Sequence, residues 1–305
     1  MKKIKIAYFG SPDFAADFLE KLIIDTTINQ LIEVKLVVTQ PDQKVGRKQI
    51  LTPTPVRQIA EKYNRSEDVK FFSLSGLGAP AVIKNFDIEL KDIELALVYA
   101  FGDLIPKELL SLPKYGFWNI HPSLLPKYRG PSPIATPLIN GDKTTGVTII
   151  KMDEEIDHGP IIAQESYTIK NTDYRTDLET KLTDLGFEMF KKTVIQLAGS
   201  WVNGLKIKEQ NHNKAIYTNK LSKDDGFIEF KKLKLKIKNS SEDLYNLFRG
   251  LYPWPGIWTI LPNGKRLKIT RLTMKQSDNL TIDSVQLEGK TEVDFFTFNK
   301  AYNIF

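Results

Sequence analysis

F-W-N-I-H-P-S-L-L-P-K-Y-R-G-P-S-P-I fills residues 117–134, and G-V-T-I-I-K-M-D-E-E-I-D-H-G-P fills residues 146–160. Each begins with a short apolar run of strand character. Asn119 and His121 are two apart in the first run, so a strand there sends both side chains to one face. Asp157 follows the second run in an acidic loop that can return its carboxylate to the imidazole. An amide donor, an imidazole and a carboxylate at strand ends suit acyl transfer, in which donors must already face the oxygen on which charge develops. The same residues also suit a structural histidine and a loop carboxylate without a partner, and the pattern alone leaves both readings open.

Working outward, residues 4–9 form another short apolar run, expected to be a buried strand, with Gly10 for a tight turn after it. Ser11 is expected to cap a helix whose first position is Pro12, where a missing N–H costs nothing, with Phe14, Phe18 and Leu22 on one stripe. A strand, a glycine and a helix open many dinucleotide-binding folds, but a lone Gly10 without G-x-G-x-x-G argues against a pyrophosphate site. Further strands are expected at 34–39, 69–72, 95–99 and 161–169. The run 95–99 is almost unbroken in apolar residues and is expected to be central in its sheet. From Asp173, Leu178, Leu182, Leu185, Met189, Ile195 and Leu197 follow a helical period that ends near Gly199. Strands alternating with helices define an α/β class with a mostly parallel, Rossmann-like sheet.

A chain of 305 residues exceeds what one core usually serves. A first domain is expected over 1–200, a polar, glycine-bearing linker over 201–214 and a second domain over 215–305. Cysteine is absent, which excludes disulfides and thiolate metal sites and permits a cytoplasmic setting. Asp13 and Asp17 interrupt the lysine-led N-terminus too early for a signal peptide, and no run approaches the length of a membrane span. The net charge of +6 is unevenly placed: residues 1–205 carry 25 Lys and Arg against 26 Asp and Glu, residues 206–305 carry 18 against 11. A polyanionic partner such as nucleic acid accounts for that excess, and so does a merely soluble basic surface. K-K-L-K-L-K-I-K at 231–238 alternates strictly and is expected to form a strand with Lys232, Lys234, Lys236 and Lys238 on one face. It would be either an edge blunted against aggregation or an RNA-facing surface.

Asn119, His121, the loop Ser123-Leu124-Leu125-Pro126, Arg129-Gly130, Pro133-Ile134, Thr148-Ile149, Met152-Asp153 and Asp157 together resemble the formyltransferase family. Pro122 stands where the family usually has glycine, and His158-Gly159-Pro160 stands for threonine-glycine-aspartate. Ser11 replaces the threonine of the G-T-P-D-F opening. Residues 100–106, A-F-G-D-L-I-P, are similar to the family's A-Y-G-x-x-x-P segment. Q-P-D-Q-K-V-G-R at 40–47, followed by Pro53 and Pro55, is similar to a basic loop found in members that act on charged tRNA and generally missing from those that act on sugars. Tyr217, Lys220 and Leu221 match the entry to the family's second domain, and Pro253-Trp254-Pro255 matches a motif within it.

The resemblance implies a Rossmann-like catalytic domain followed by a small β-barrel of the oligonucleotide-binding type, abbreviated here because only some 16 residues separate Ile269 from Gln286. It implies transfer of the formyl group of 10-formyltetrahydrofolate to the amino group of methionine on initiator tRNA, with Asn119, His121 and Asp157 catalytic. Leu104, Ser123, Leu124, Leu125 and Pro126 would bind the folate, with the loop 153–156 closing over its ring. Lys44, Arg47 and Lys48 would meet the tRNA acceptor end. A monomer without metal, acting in the cytoplasm, is expected. Transfer to a sugar nucleotide by the same three residues is the alternative. A serine hydrolase lacks its G-x-S-x-G, and three scattered histidines make a poor metal set.

Overall fold

The computed structural model describes residues 2–46, 48–63, 69–73, 86, 89–199, 205–239, 241–274 and 280–304. Contacts divide the chain into two compact units: Met1–Gly130 with Gly146–Tyr167 and Thr180–Tyr217, and Pro131–Thr145 with Thr168–Glu179 and Thr218–Phe305.

The first unit is built on β1 (Ile4–Gly10), α1 (Asp13–Ile24), β2 (Ile32–Thr39), β3 (Gln43–Val45), β4 (Ile50–Thr52), α2 (Pro55–Tyr63), β5 (Lys70–Ser73), β6 (Leu95–Tyr99), α3 (Lys107–Leu110), β7 (Phe117–His121) and β8 (Lys127–Arg129). After α4 (Ala135–Ile139) of the second unit come β9 (Thr144–Lys151), β10 (Ile161–Thr168), α5 (Arg175–Gly199) and β11 (Ile216–Tyr217), and the division between the units falls inside β9, before the last residue of β10 and inside α5. Seven strands form one sheet in the order β10-β9-β7-β6-β1-β2-β5. The run from β7 to β5 is parallel, and β9 joins β7 antiparallel. The almost wholly apolar β6 occupies the middle, as a strand covered on both faces should.

Side-chain alternation divides the core. Ala7, Phe9, Ala96, Val98 and Phe117 share one apolar cluster with Phe101 and Leu109. On the opposite face, Tyr8 and Tyr99 pack around Phe18 of α1, which also meets Phe187 and Phe190 of α5. Trp118 of β7 turns its edge to Phe190. Gly186 lets α5 approach this strand, since a Cβ there would lie 2.9 Å from Ile120 Cγ2. Trp118 and Ile120 are thereby committed to α5, which leaves Asn119 and His121 on the other face.

Two local expectations are corrected. Ser11 does not cap α1: Pro12 takes the N-cap position, while the serine hydroxyl donates to Phe101 O at 3.0 Å and accepts from Gln40 N at 3.1 Å. The hydroxyl therefore joins three loops at the carboxyl edge of the sheet. The basic loop after Pro41 is a short antiparallel hairpin, β3 with β4, turning at Gly46 with φ +72°.

The second unit holds α6 (Phe230–Asn239), α7 (Ser241–Leu251), β12 (Ile257–Ile260), β13 (Arg266–Met274), β14 (Leu280–Leu287), β15 (Glu292–Asp294) and α8 (Phe295–Tyr302). Its four strands pair antiparallel in sequence order, and the described residues between Ile269 and Gln286, the stretch that looked abbreviated, belong to β13 and β14. Leu233, Leu244, Phe248, Ile269, Val285 and Phe298 share its core. The lysine-rich segment is a helix, not a strand. Leu233 is buried and Ile237 packs on the same cluster, whereas Leu235 is 58% exposed. An alternation of period two includes pairs four apart, which a helix also places on one face, and both Lys and Leu favour helix.

Candidate active site

His121 is the last residue of β7, at the carboxyl edge where open parallel sheets bind their ligands. Asp157 reaches it by way of a closed loop. Lys151 N donates to Pro160 O at 3.0 Å, and a Cβ on Gly159 would sit 1.9 Å from Lys151 O, so only glycine lets the loop ends approach this closely. Asp157 itself is left-handed at φ 51°.

The three expected residues meet. Asp157 Oδ1 lies 3.3 Å from His121 Nδ1 and accepts from Asn119 Nδ2 at 3.0 Å, while Oδ2 accepts from Gly130 N at 2.7 Å. His121 Nε2 faces Tyr128 O at 2.9 Å, because Tyr128 at φ 68° turns its carbonyl inward. Both ring nitrogens thus face acceptors, an environment that only the doubly protonated imidazole satisfies in full. Burial pulls the His121 pKa down, but the Asp157 carboxylate and the two hydrogen bonds outweigh it, so the imidazole stays protonated above its ordinary value. Burial likewise pushes Asp157 up. The His121 charge, the Gly130 N–H and the Asn119 amide prevail and hold the carboxyl below its usual range. The second amide hydrogen of half-buried Asn119 meets no described residue.

The loop after β7 is fixed from within. Ser123, expected at the folate, is buried and donates from Oγ to Lys127 O at 2.7 Å, so its hydroxyl closes the loop. Thr148 Oγ1 donates to Ser123 O and accepts from Leu125 N and Gln164 Nε2. Leu125 is buried and Leu124 lies against Gly146. Pro126 O accepts from Ile216 N at 3.2 Å. Leu104 is 68% exposed on the loop after β6, and Ile156 of the acidic loop is 53% exposed. Lys44 and Lys48 are exposed on the hairpin, and neither forms an ion pair with a described residue. Arg47 lies outside the described residues. Among the described residues there is no group of three or more His, Asp or Glu that could hold a metal, and no helix long and apolar enough to cross a membrane.

Four participants escaped the sequence reading: the Tyr128 carbonyl, Gln164, Gln210 and His212. Gln210 and His212 stand in a polar stretch that carries no local mark of function. Gln210 Nε2 donates to Asp157 O and Gly159 O.

A Rossmann-like sheet with an amide, an imidazolium and a carboxylate at its carboxyl edge defines an acyl-transfer enzyme of the α/β class. Residues 2–194 match the formyl transferase family model, and residues 220–281 match the formyl transferase C-terminal domain. The chain belongs to the formyl transferase family. It is 42% identical over 277 residues to a methionyl-tRNA formyltransferase of Caldicellulosiruptor saccharolyticus, covering 90% of this chain and 81% of the relative. To the methionyl-tRNA formyltransferase of Geobacter metallireducens it is 34% identical, covering 95% and 93%. Among solved structures, the N-formyltransferase of Helicobacter canadensis, in complex with folinic acid and dTDP-3-aminofucose, shares the fold with a TM-score of 0.61 at 21% identity, covering 89% of each chain.

Proposed function

We propose that the chain transfers the formyl group of 10-formyltetrahydrofolate to the α-amino group of methionine esterified to initiator tRNA, giving N-formylmethionyl-tRNA and tetrahydrofolate. The observation that carries this reading is the meeting of Asn119, His121 and Asp157 around one amide hydrogen that meets no described residue. An α-amino group has a pKa of ~8, so a useful fraction is neutral near pH 7 and no strong base is needed to make the nucleophile. Catalysis therefore rests on the oxyanion. The amine attacks the formyl carbon, and Asn119 Nδ2 donates its second hydrogen to the oxygen on which charge develops. His121 places its positive charge beside that oxygen, held protonated by Asp157. The bond from carbon to folate nitrogen then breaks, and that nitrogen gains the proton the amine gives up, with Asp157 assisting its passage.

The exposed, unneutralised Lys44 and Lys48 favour a polyanionic acceptor over a sugar, together with the relatives that share at least a third of the sequence. Exposed Leu104, with half-buried Leu124 and Pro126, offers apolar surface to the folate, and buried Ser123 and Leu125 hold that loop in shape beside it. One chain carries all three catalytic groups, so a monomer suffices, and a charged tRNA places the reaction in the cytoplasm. The test supplies 10-formyltetrahydrofolate with either charged initiator tRNA or an amino-sugar nucleotide. Formylation of the tRNA alone is expected, with Asn119→Ala lowering kcat by about 10²- to 10³-fold, as loss of one oxyanion donor does. Sugar formylation, or near-normal turnover in Asn119→Ala and His121→Ala, would overturn the reading.

A further inference from the structure

The segment 205–217 does more than lead away from α5. Ile161 and Lys208 exchange backbone hydrogen bonds at 2.7 and 2.8 Å, and Ile216 N bonds to Pro126 O. Between these anchors the chain passes behind the Asp157 loop and delivers Gln210, which is buried, and His212. Gln210 Nε2 donates to Asp157 O at 2.9 Å and to Gly159 O at 2.7 Å, while its Oε1 accepts from Arg129 Nη2 at 2.8 Å and Nε at 3.3 Å. The orientation of this amide is forced. Reversed, it would set an oxygen against two carbonyls and an NH2 against a guanidinium that can only donate.

Arg129 is buried as well, with Nη2 donating to His212 Nδ1 at 2.8 Å, Nη1 to Tyr217 Oη at 3.2 Å, and the guanidinium 5.8 Å from the Tyr217 ring centroid. His212 stacks on His158 with ring centroids 3.9 Å apart and planes 9° from parallel, and His158 Nδ1 bonds Asp153 Oδ2 at 2.7 Å. The acidic loop is thus gripped on both sides of a residue whose backbone is left-handed at φ 51°, a conformation that L side chains rarely adopt.

We propose that Gln210, anchored on the buried Arg129, is a positioning residue that holds the Asp157 carboxylate on His121. This inference rests on Asp157 serving the formyl-transfer site. Without the two amide bonds, the carbonyls of Asp157 and Gly159 lose their buried donor and Asp157 is free to return to φ below zero, which swings the carboxylate away from the imidazole. Gln210 acts through the backbone of Asp157 and touches no reacting atom.

The test compares Gln210→Met, which removes both halves of the bridge, with Gln210→Glu, which keeps an acceptor for Arg129 and sets a carboxylate against the two carbonyls. Both are expected to lower kcat for tRNA formylation by about 10- to 100-fold, the cost of displacing a catalytic group by roughly 1 Å, with KM for either substrate changed by less than about threefold. The second readout needs no substrate: the titration of His121 followed by NMR on histidine-labelled protein. The charged groups facing that ring are Asp157 and Arg129, with the Tyr128 carbonyl at Nε2. The Met variant is expected to titrate His121 at lower pH than the parent; in the Glu variant the new carboxylate offsets the Arg129 charge, so there kcat is the readout. If the Met variant fails to fold, the Glu variant, still paired with Arg129, decides. A lowered melting temperature with unchanged His121 titration and kcat would make Gln210 merely structural and overturn the proposal. A parent chain that formylates no tRNA while its His121 titration still moves in the Met variant would leave the positioning role standing and remove the functional reading.

Discussion

Replacing Asp157 with Asn keeps the shape of the side chain and removes its charge. In the parent, Oδ1 accepts from Asn119 and lies 3.3 Å from His121 Nδ1, while Oδ2 accepts from Gly130 N. Each oxygen thus faces donors. A carboxamide has one acceptor oxygen, so its NH2 must face a donor, and at least one buried hydrogen bond is lost at a cost of about 1–3 kcal/mol. The larger effect falls on His121. Two unit charges at 3.3 Å attract by about 5 kcal/mol at an effective dielectric of about 20, before burial is subtracted. With that attraction removed, burial and the Arg129 charge are opposed only by the Tyr128 hydrogen bond, and the pKa of the ring falls. The direction for activity follows. In the parent, kcat falls as pH rises through the raised His121 pKa, because the imidazolium charge beside the oxyanion is lost. In Asp157→Asn the same fall sets in at lower pH, so between the two midpoints the variant lacks a charge that the parent keeps and loses about 10²- to 10³-fold in kcat. The deficit narrows as the pH is lowered below that window. The assay is a pH profile of kcat for tRNA formylation, read beside an NMR titration of the imidazole. A variant within threefold of the parent at every pH, or one whose alkaline limb is unmoved, would refute the coupling of these two residues.

Lys44→Glu together with Lys48→Glu should raise KM for charged tRNA and flatten its salt dependence by roughly two phosphate contacts, leaving KM for the folate unchanged; equal salt slopes for parent and variant would exclude the hairpin from the tRNA interface. In α6, Leu233→Ala should cost about 2–5 kcal/mol of unfolding free energy in urea, while Leu235→Ala stays within about 0.5 kcal/mol, because only the first side chain reaches the core. Equal losses at the two positions would restore the strand reading of this segment.

What was legible in the sequence was what short-range periodicity controls. The central place of residues 95–99 follows from an unbroken apolar run, and the common face of Asn119 and His121 follows from a period of two that nothing downstream can reverse once Trp118 and Ile120 are committed to α5. K-K-L-K-L-K-I-K misled for the opposite reason: its alternation already contains the helical pair Leu233 and Ile237, and only the core of the second unit chooses between them. The reach of Asp157 was open to inference as the swing of an acidic loop, but its cause was not. A glycine against Lys151 O, and an amide more than fifty residues further on that bonds the carbonyls of Asp157 and Gly159, leave no local pattern.

Least legible was the Tyr128 carbonyl, which depends on a positive φ at a tyrosine and on no side chain at all. It also bears most directly on mechanism. His121 has no hydrogen to spare for the oxyanion, because Nε2 already faces Tyr128 O and Nδ1 faces Asp157. An imidazolium with both hydrogens engaged acts by charge, and among these three described residues the donor left for a new oxygen is Asn119. Loss of the Asn119 amide should therefore be felt at every pH at which the amine is neutral, whereas loss of the His121 charge should be felt only where the parent ring is still protonated.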